Sequence, residues 1–319
     1  MIGLTGIGYS LPRTSSSVQQ LAGDGLLQSD PALLESFGFD RVFTARSETP
    51  YGLACRAALD VLRQTGTEPQ DIQLLVYTGP HGPTAFVTAP DAELSAASLR
   101  SIRRFELPAA RLQHHLGLNR AAVVGIDQGA CTNLFAAIRV ARSLCLTEGI
   151  DRALCVSSEF VPADAGREAI FNCTSDAAVA VLVERGAAQN VIRGSVHVTQ
   201  GRYWNAAARR NEMIASYFPV ARRVVEQAAT RAGWRLDEID WVLPHNISRR
   251  SWEVLMGLLE LPEERLWHHN IGRVGHTLAG DNFINLADAL AAGAVTPGQK
   301  LLLFSWGYGA HWTALAVEA

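Results

Sequence analysis

AAVVGIDQGACTNLFAAIRVARSL, residues 121–144, opens with an apolar run of strand length and passes through a glycine-containing turn. It continues with apolar residues at Leu134, Phe135, Ile138, Ala141 and Leu144, the spacing of one helix face. A strand that turns into a one-sided helix is the building unit of an α/β protein. Cys131 falls at or just before the amino end of that helix. The helix dipole and the unpaired N–H groups of a first turn favour negative charge there, which makes a cysteine at that place a better nucleophile. The competing reading is a small buried apolar residue, the usual fate of a free cysteine. For Cys55, in an early helix, and for Cys145 and Cys155, within regular elements, that core reading is the stronger.

Outward from this stretch, apolar runs alternate with amphipathic ones, separated by Gly, Pro, Asp and Thr clusters, and the sheet is expected to be buried on both faces. The chain also repeats itself. QTGTEPQDIQLLVYTG (64–79) lies on RAGWRLDEIDWVLPHN (231–246) at an offset of 167, with Gly66 on Gly233 and Ile72 on Ile239. Each copy predicts a helix ending at the glycine and a strand after the isoleucine. Residues 131–157 lie on 280–306 at an offset of 149, with Asn133 on Asn282 and Gly149 on Gly298. That pair predicts a helix, a glycine turn and a strand, Arg152 to Ser157 or Lys300 to Ser305. Two matches in the same order in both halves favour an internal duplication. The halves are 1–186, carrying Cys131, and 187–319, carrying the histidines of interest. Residues 80–105, with a helical-looking stretch from Asp91 to Arg104, stand outside both copies as an excursion over the surface.

Composition narrows the function classes. With 319 residues, 48% of them hydrophobic, the chain can fill a large core. Its 28 basic and 31 acidic residues contain no long run of one sign, which argues against nucleic acid and anionic membranes as partners. Apolar runs such as Leu74 to Tyr77 and Leu301 to Trp306 are far shorter than the roughly 20 residues of a membrane helix. The amino terminus has no export signal, and a cytoplasmic location is expected. Five cysteines, an odd number without metal-ligand spacing, fit free thiols in a reducing compartment.

Two histidines fall where strands leave the core. His245 follows the run Asp240 to Pro244, and His276 follows a glycine in GRVGHTLAGDNF. Loop ends of parallel strands are where α/β proteins assemble sites, although a lone histidine is more often a satisfied polar residue. The adjacent pairs His114-His115 and His268-His269 have side chains that diverge on a regular element, so no metal site is expected from them. Asp281 suits the N-cap or first turn of a helix from Asn282 to Ala292. The duplication sets it against Thr132, beside Cys131, where a carboxylate would orient a histidine. Near the end, SWGYGAHW offers Gly307 and Gly309 as places where backbone N–H groups approach a substrate.

Together these pieces resemble the ketoacyl synthase III group of the thiolase superfamily over nearly the whole chain. The matching stretches are TGIGYSLP, FELPAARLQHHLGLNRAAVVGIDQGACTNLFAAI, VLPHNIS, RVGHTLAGDNFINLADALAAGAVTPGQ and the closing glycine-rich turn. The resemblance implies a five-layer αβαβα thiolase-like fold, a homodimer, and an acyl group taken on Cys131 from an acyl carrier protein or coenzyme A thioester, with no bound cofactor and no metal. His245 matches the family's first histidine. The family's asparagine, in Gly-Asn-Thr, is His276 here, and Pro-His-Asn-Ile-Ser replaces Pro-His-Gln-Ala-Asn. The tryptophan and arginine that hold the coenzyme A nucleotide have no counterpart around LESFGFDRVF. His276 with Asp281 five residues on resembles divergent natural-product (polyketide-type) members that pass acyl groups to other small-molecule acceptors without decarboxylation. The expectation is therefore an acyltransferase, with His276 or Asp281 as third catalytic residue and an oxyanion site at Cys131 and the Gly307 to Gly309 turn. Decarboxylative condensation with a malonyl thioester is the rival, and an inactive partner subunit of a heterodimeric synthase is the rival from another class. Retention of Cys131 and His245 argues against the latter.

Overall fold

Alternate residues of the long strands enter different cores, and this alternation builds the layers. The computed structural model describes residues 1–79, 107–162, 165–170 and 172–319. The excursion 80–105, with its expected helix Asp91 to Arg104, lies outside the described residues. The principal elements of the first half are β1 (Ile2–Ser10), α1 (Pro50–Thr65), β2 (Leu74–Thr78), α2 (Pro108–His115), β3 (Ala122–Ile126), α3 (Asn133–Thr147), β4 (Arg152–Glu159) and β5 (Ala177–Arg185). Those of the second are β6 (Val191–Thr199), α4 (Tyr217–Ala232), β7 (Trp241–Pro244), α5 (Arg249–Leu258), α6 (Asp281–Ala291), β8 (Lys300–Gly307) and β9 (His311–Glu318).

The strands lie in the order β7-β8-β9-β6-β1-β5-β4-β2-β3, and the two halves meet at one backbone pair, Gly3 with Val191. Read outward from that junction, the first half runs β1-β5-β4-β2 and the second β6-β9-β8-β7. Orientations repeat as well: β2 and β4 are parallel, as are β7 and β8, while β4 with β5 and β8 with β9 are antiparallel.

In β4, Ala153 and Cys155 join the core that holds α3 and α6, whereas Leu154 and Val156 face α1 and α2. In β8, Leu301 and Leu303 join that same central core, and Leu302 and Phe304 face α4 and α5. The result is helix, sheet, helix, sheet, helix: the expected five layers, with α3 and α6 shared at the centre. Phe135 of α3 and Phe283 of α6 pack ring to ring there, centroids 5.0 Å apart. Burying each such side chain contributes on the order of 2 kcal/mol.

The local repeats are equally close. α1 and α4 both end at a left-handed glycine, Gly66 (φ 62) and Gly233 (φ 76), where only glycine avoids a Cβ penalty. The strands that follow start at Leu74 and Trp241, 167 residues apart. Four boundaries differ from expectation: β4 and β8 run two residues further, to Glu159 and Gly307, and α6 begins at Asp281 and ends at Ala291, each one residue early. Gly307 and Asp281 both reach the site described next.

Candidate active site

β3 runs into a tight turn in which Ala130 adopts a left-handed conformation (φ 47) and Cys131 lies in a single 3₁₀ turn directly ahead of α3. Side chains stitch the turn: Thr132 Oγ1 donates to the Gly129 carbonyl at 2.7 Å, and Gly129 N donates to Asn133 Oδ1 at 2.6 Å. The second half supplies the wall behind it. Ser305 Oγ donates to the Cys131 carbonyl at 3.1 Å. A Cβ at Gly307 would lie 2.4 Å from the Gly129 carbonyl oxygen and 3.3 Å from Cys131 N, so only glycine fits against the nucleophile turn. Gly309 sits in the β8–β9 turn beyond, where a Cβ would meet only the His311 ring.

His276 is pinned by its backbone: its N–H donates to the Cys173 carbonyl at 2.8 Å and its carbonyl accepts from Ser175 N at 2.8 Å. That delivers the ring between two partners. Nε2 lies 3.4 Å from Cys131 Sγ, and Nδ1 lies 2.5 Å from Asp281 Oδ2. Asp281 is wholly buried. Its Oδ2 also accepts from Asn246 N at 2.6 Å, and its Oδ1 accepts from Thr277 N at 2.5 Å and Thr277 Oγ1 at 2.7 Å. Of the two places expected for Asp281, the first turn is the one it takes: Gly280 occupies the cap without a side-chain bond, and Asp281 turns both oxygens to the loop that carries His276. Burial alone would pull the His276 imidazolium down, but the Asp281 carboxylate, Cys131 and the hydrogen bonds to both outweigh it and hold the ring well above the ordinary histidine value.

His245, just past β7, is fully buried. Its Nδ1 lies 3.3 Å from the Phe304 carbonyl, and its Nε2 has no protein partner. Burial, reinforced by the nearby His276 charge, pushes it down to about 3, so its ring stays neutral. Its centroid is 6.5 Å from that of His276, and Tyr217, Trp252 and Phe304 enclose the other sides. The histidine in contact with Cys131 is thus His276.

Sequence reasoning passed over three asparagines that frame both histidines. Asn282 Nδ2 donates to the Leu243 and Phe304 carbonyls, each at 2.8 Å. Asn285 Nδ2 donates to the Pro244 carbonyl at 2.7 Å and to Asn246 Oδ1 at 3.0 Å, and Asn246 Nδ2 donates to the Gly275 carbonyl at 2.8 Å. The signal was available: two asparagines three apart on the face of a helix that is otherwise apolar. Glu159 was also missed. It is buried at the end of β4, and burial pushes its carboxyl up to about 7, against the pull of Ser157 and His276.

A mostly apolar pocket of about 230 Å³ is lined among others by Phe37, Ile214, Phe218, Trp306, Arg250 and Tyr217, whose ring lies near that of His245. His268 and His269 do not diverge as expected: His268 precedes the short helix His269–Arg273, and their rings stack at 5.2 Å. Among the described residues no cluster of three His, Cys, Asp or Glu side chains is set to hold a metal ion. No helix among them is long and apolar enough to cross a membrane.

A duplicated αβαβα core with a cysteine presented at the start of a central helix defines a thiolase-like protein. The resemblance to ketoacyl synthase III is borne out. The family model for the carboxy-terminal part of 3-oxoacyl-[acyl-carrier-protein] synthase III matches residues 229–319. A β-ketoacyl-[acyl-carrier-protein] synthase III from Streptomyces coelicolor is 27% identical, the match covering 98% of this chain and 92% of that protein. The crystal structure of 3-oxoacyl-[acyl-carrier-protein] synthase III from Aquifex aeolicus superimposes with a TM-score of 0.83 at 20% identity, over 100% of both chains. That of ChlB3, described as an acyltransferase, gives 0.83 at 21% identity, over 100% of this chain and 97% of that one.

Proposed function

We propose that the protein is a cytoplasmic acyltransferase that loads an acyl group on Cys131 from an acyl carrier protein or coenzyme A thioester and passes it to a hydroxyl or amine acceptor, in polyketide-type natural-product synthesis. The observation that carries this reading is the direction of the two imidazoles. His276 Nε2 faces Cys131 Sγ and its Nδ1 faces the buried Asp281 carboxylate, so the ring is set to take a proton at Nε2 and is held charged once it has, while His245, whose Nδ1 faces the Phe304 carbonyl, stays neutral with a lone pair at Nε2. Lone pairs remove protons. Decarboxylative condensation instead needs two N–H donors on the enolate oxygen that develops as carbon dioxide leaves.

In the first half-reaction His276 Nε2 takes the Cys131 proton and the sulfur attacks the donor carbonyl. Asp281 keeps the imidazolium oriented and balanced. The tetrahedral oxyanion is met by backbone N–H groups of Cys131 and the turn from Gly307. Collapse expels the donor thiol, which leaves with the proton from His276. In the second half-reaction His276 takes a proton from the acceptor, whose oxygen or nitrogen attacks the thioester and releases Cys131. His245, neutral throughout, accepts a hydrogen bond at Nε2 from the incoming acceptor. The apolar pocket that Tyr217 lines suits the donor's acyl or pantetheine arm. A homodimer through the outer edge of β3 fits this architecture, because among the described residues β3 is paired on one side only and Val123 is 39% exposed.

The test is intact-mass measurement after incubation with a panel of acyl-coenzyme A and acyl-carrier thioesters, followed by addition of alcohol or amine acceptors or of malonyl-carrier protein. The expected result is an adduct absent from Cys131→Ala and discharged by acceptor but not by malonyl thioester. Release of carbon dioxide with a β-ketoacyl product would overturn transfer in favour of condensation. No adduct from any donor would favour the inactive partner subunit.

A further inference from the structure

The strands themselves make position 159 the counterpart of position 307, 148 residues on and one fewer than the offset of the helices before them: each is the last residue of its strand, β4 or β8. In β8 the inward-facing residues 305 and 307 back the turn that carries Cys131. In β4 the inward parity of Ala153 and Cys155 continues to Ser157 and Glu159, aiming them at the central layer where the loop of His276 and the turn Leu278–Gly280 lie. Where the second half leaves a glycine, the first places a carboxyl. We propose that Glu159 is a positioning residue of the acyl-transfer site, a second carboxyl that acts on His276 from the end of β4, the strand packed against the turn Leu278–Gly280.

The surroundings leave it that part. Glu159 is 3% exposed, and its one hydrogen-bonding neighbour on its own strand is Ser157, whose Oγ donates to Oε1 at 3.1 Å. Cys155, further back on the same face, is held as a neutral thiol by burial. From β2, Tyr77 is pushed up to about 12 by burial, and stays a neutral phenol. Ser158 points the other way, donating to the Pro50 carbonyl at the start of α1. Across from the strand end, Asp176 is neutralised by Arg167 in a fully buried pair at 2.7 Å. Among the described residues, the charge that bears on Glu159 is that of His276, which lowers its carboxyl against the larger effect of burial. The Asp281 carboxylate already faces the His276 ring. An ionised Glu159 adds a second, which strengthens His276 as a base but costs desolvation. Its protonation near neutral pH therefore couples to the state of His276, and linkage requires the coupling to be reciprocal.

The proposal rests on His276 acting as the base, and its test is independent of acyl transfer. Full-length protein with ¹⁵N-histidine and ¹³C-glutamate labels is titrated by NMR as wild type, Glu159→Gln, Glu159→Asp and His276→Asn. Removing the carboxyl is expected to lower the His276 midpoint by about one pH unit, as loss of a nearby opposite charge does, with partial restoration in Glu159→Asp. Removing the imidazole is expected to raise the Glu159 midpoint, an arm that stands even if Glu159→Gln fails to fold. Unmoved midpoints in folded variants would overturn the coupling while leaving the acyl-enzyme reading intact. Loss of the Cys131 adduct chemistry would sink that reading without moving these titrations.

Discussion

Replacing Asp281 with asparagine removes one charge and turns one oxygen into an NH₂ group, and the structure dictates the consequence. Two donors face each carboxylate oxygen: His276 Nδ1 and Asn246 N at Oδ2, Thr277 N and Thr277 Oγ1 at Oδ1. One member of each pair can adapt, since the His276 ring can change tautomer and the Thr277 hydroxyl can rotate. The other is a backbone N–H and cannot. Whichever way the amide turns, one buried N–H is left facing an NH₂, at a cost of about 1–3 kcal/mol, and the surviving bonds lose their charge assistance. The expected destabilisation is about 2–4 kcal/mol in urea unfolding. If the NH₂ turns toward His276, the ring proton moves to Nε2 and the base facing Cys131 is lost, so acceptor-dependent discharge of the acyl-enzyme is expected to fall at least 100-fold. A loss below about 0.5 kcal/mol, with deacylation intact, would refute the assignment of four donors to this carboxylate.

His245→Ala is expected to spare acylation of Cys131 and to slow transfer to acceptor, because Cys131 already has its base in His276; burst kinetics separate the two steps, and equal loss of both would place His245 in thiol activation. Gly307→Ala forces a methyl to 2.4 Å from the Gly129 carbonyl oxygen, for a cost of about 1–3 kcal/mol and a displaced nucleophile turn. A thermal melt and adduct rate unchanged from wild type would contradict that packing. Glu159 has a folded value raised to about 7 from an ordinary 4.5, so its contribution is most favourable below 4.5 and is lost as pH rises toward 7. Glu159→Gln should therefore gain about 3 kcal/mol relative to wild type between pH 4.5 and pH 8 in urea titrations, and a pH-independent difference would refute the burial of an ionisable carboxyl.

The layers were legible because their signals are periodic: alternating apolar residues mark strands, Leu134 to Leu144 marks a helix face, and the paired glycines 66 and 233 mark equivalent helix ends. The place of Cys131 was legible from the strand-to-helix turn, and the duplication drew Asp281 toward it, to which the structure links it through His276. What local pattern could not supply was pairing. A carboxylate at the first residue of a helix reads as a cap, and only the folded loop shows it turned toward Thr277, Asn246 and His276. Likewise the local pattern did not show which of His245 and His276 meets Cys131, and the Phe304 carbonyl and the Cys131 sulfur distinguish them. Glu159 was invisible because a strand taken to end at Ser157 excludes it.

Had the two halves been separate copies of one polypeptide, each position would carry the same residue in both places. A glutamate at the end of both strands would push a side chain into the turn that presents the sulfur, and a glycine at both would leave the imidazole loop without a facing carboxyl. One gene product cannot satisfy both demands. Joining the halves end to end, at the short passage between β5 and β6, lets the molecule break its own symmetry. One copy then carries Cys131 and the other His276 with Asp281, and a single chain closes one asymmetric site where two identical, compromised ones would otherwise stand.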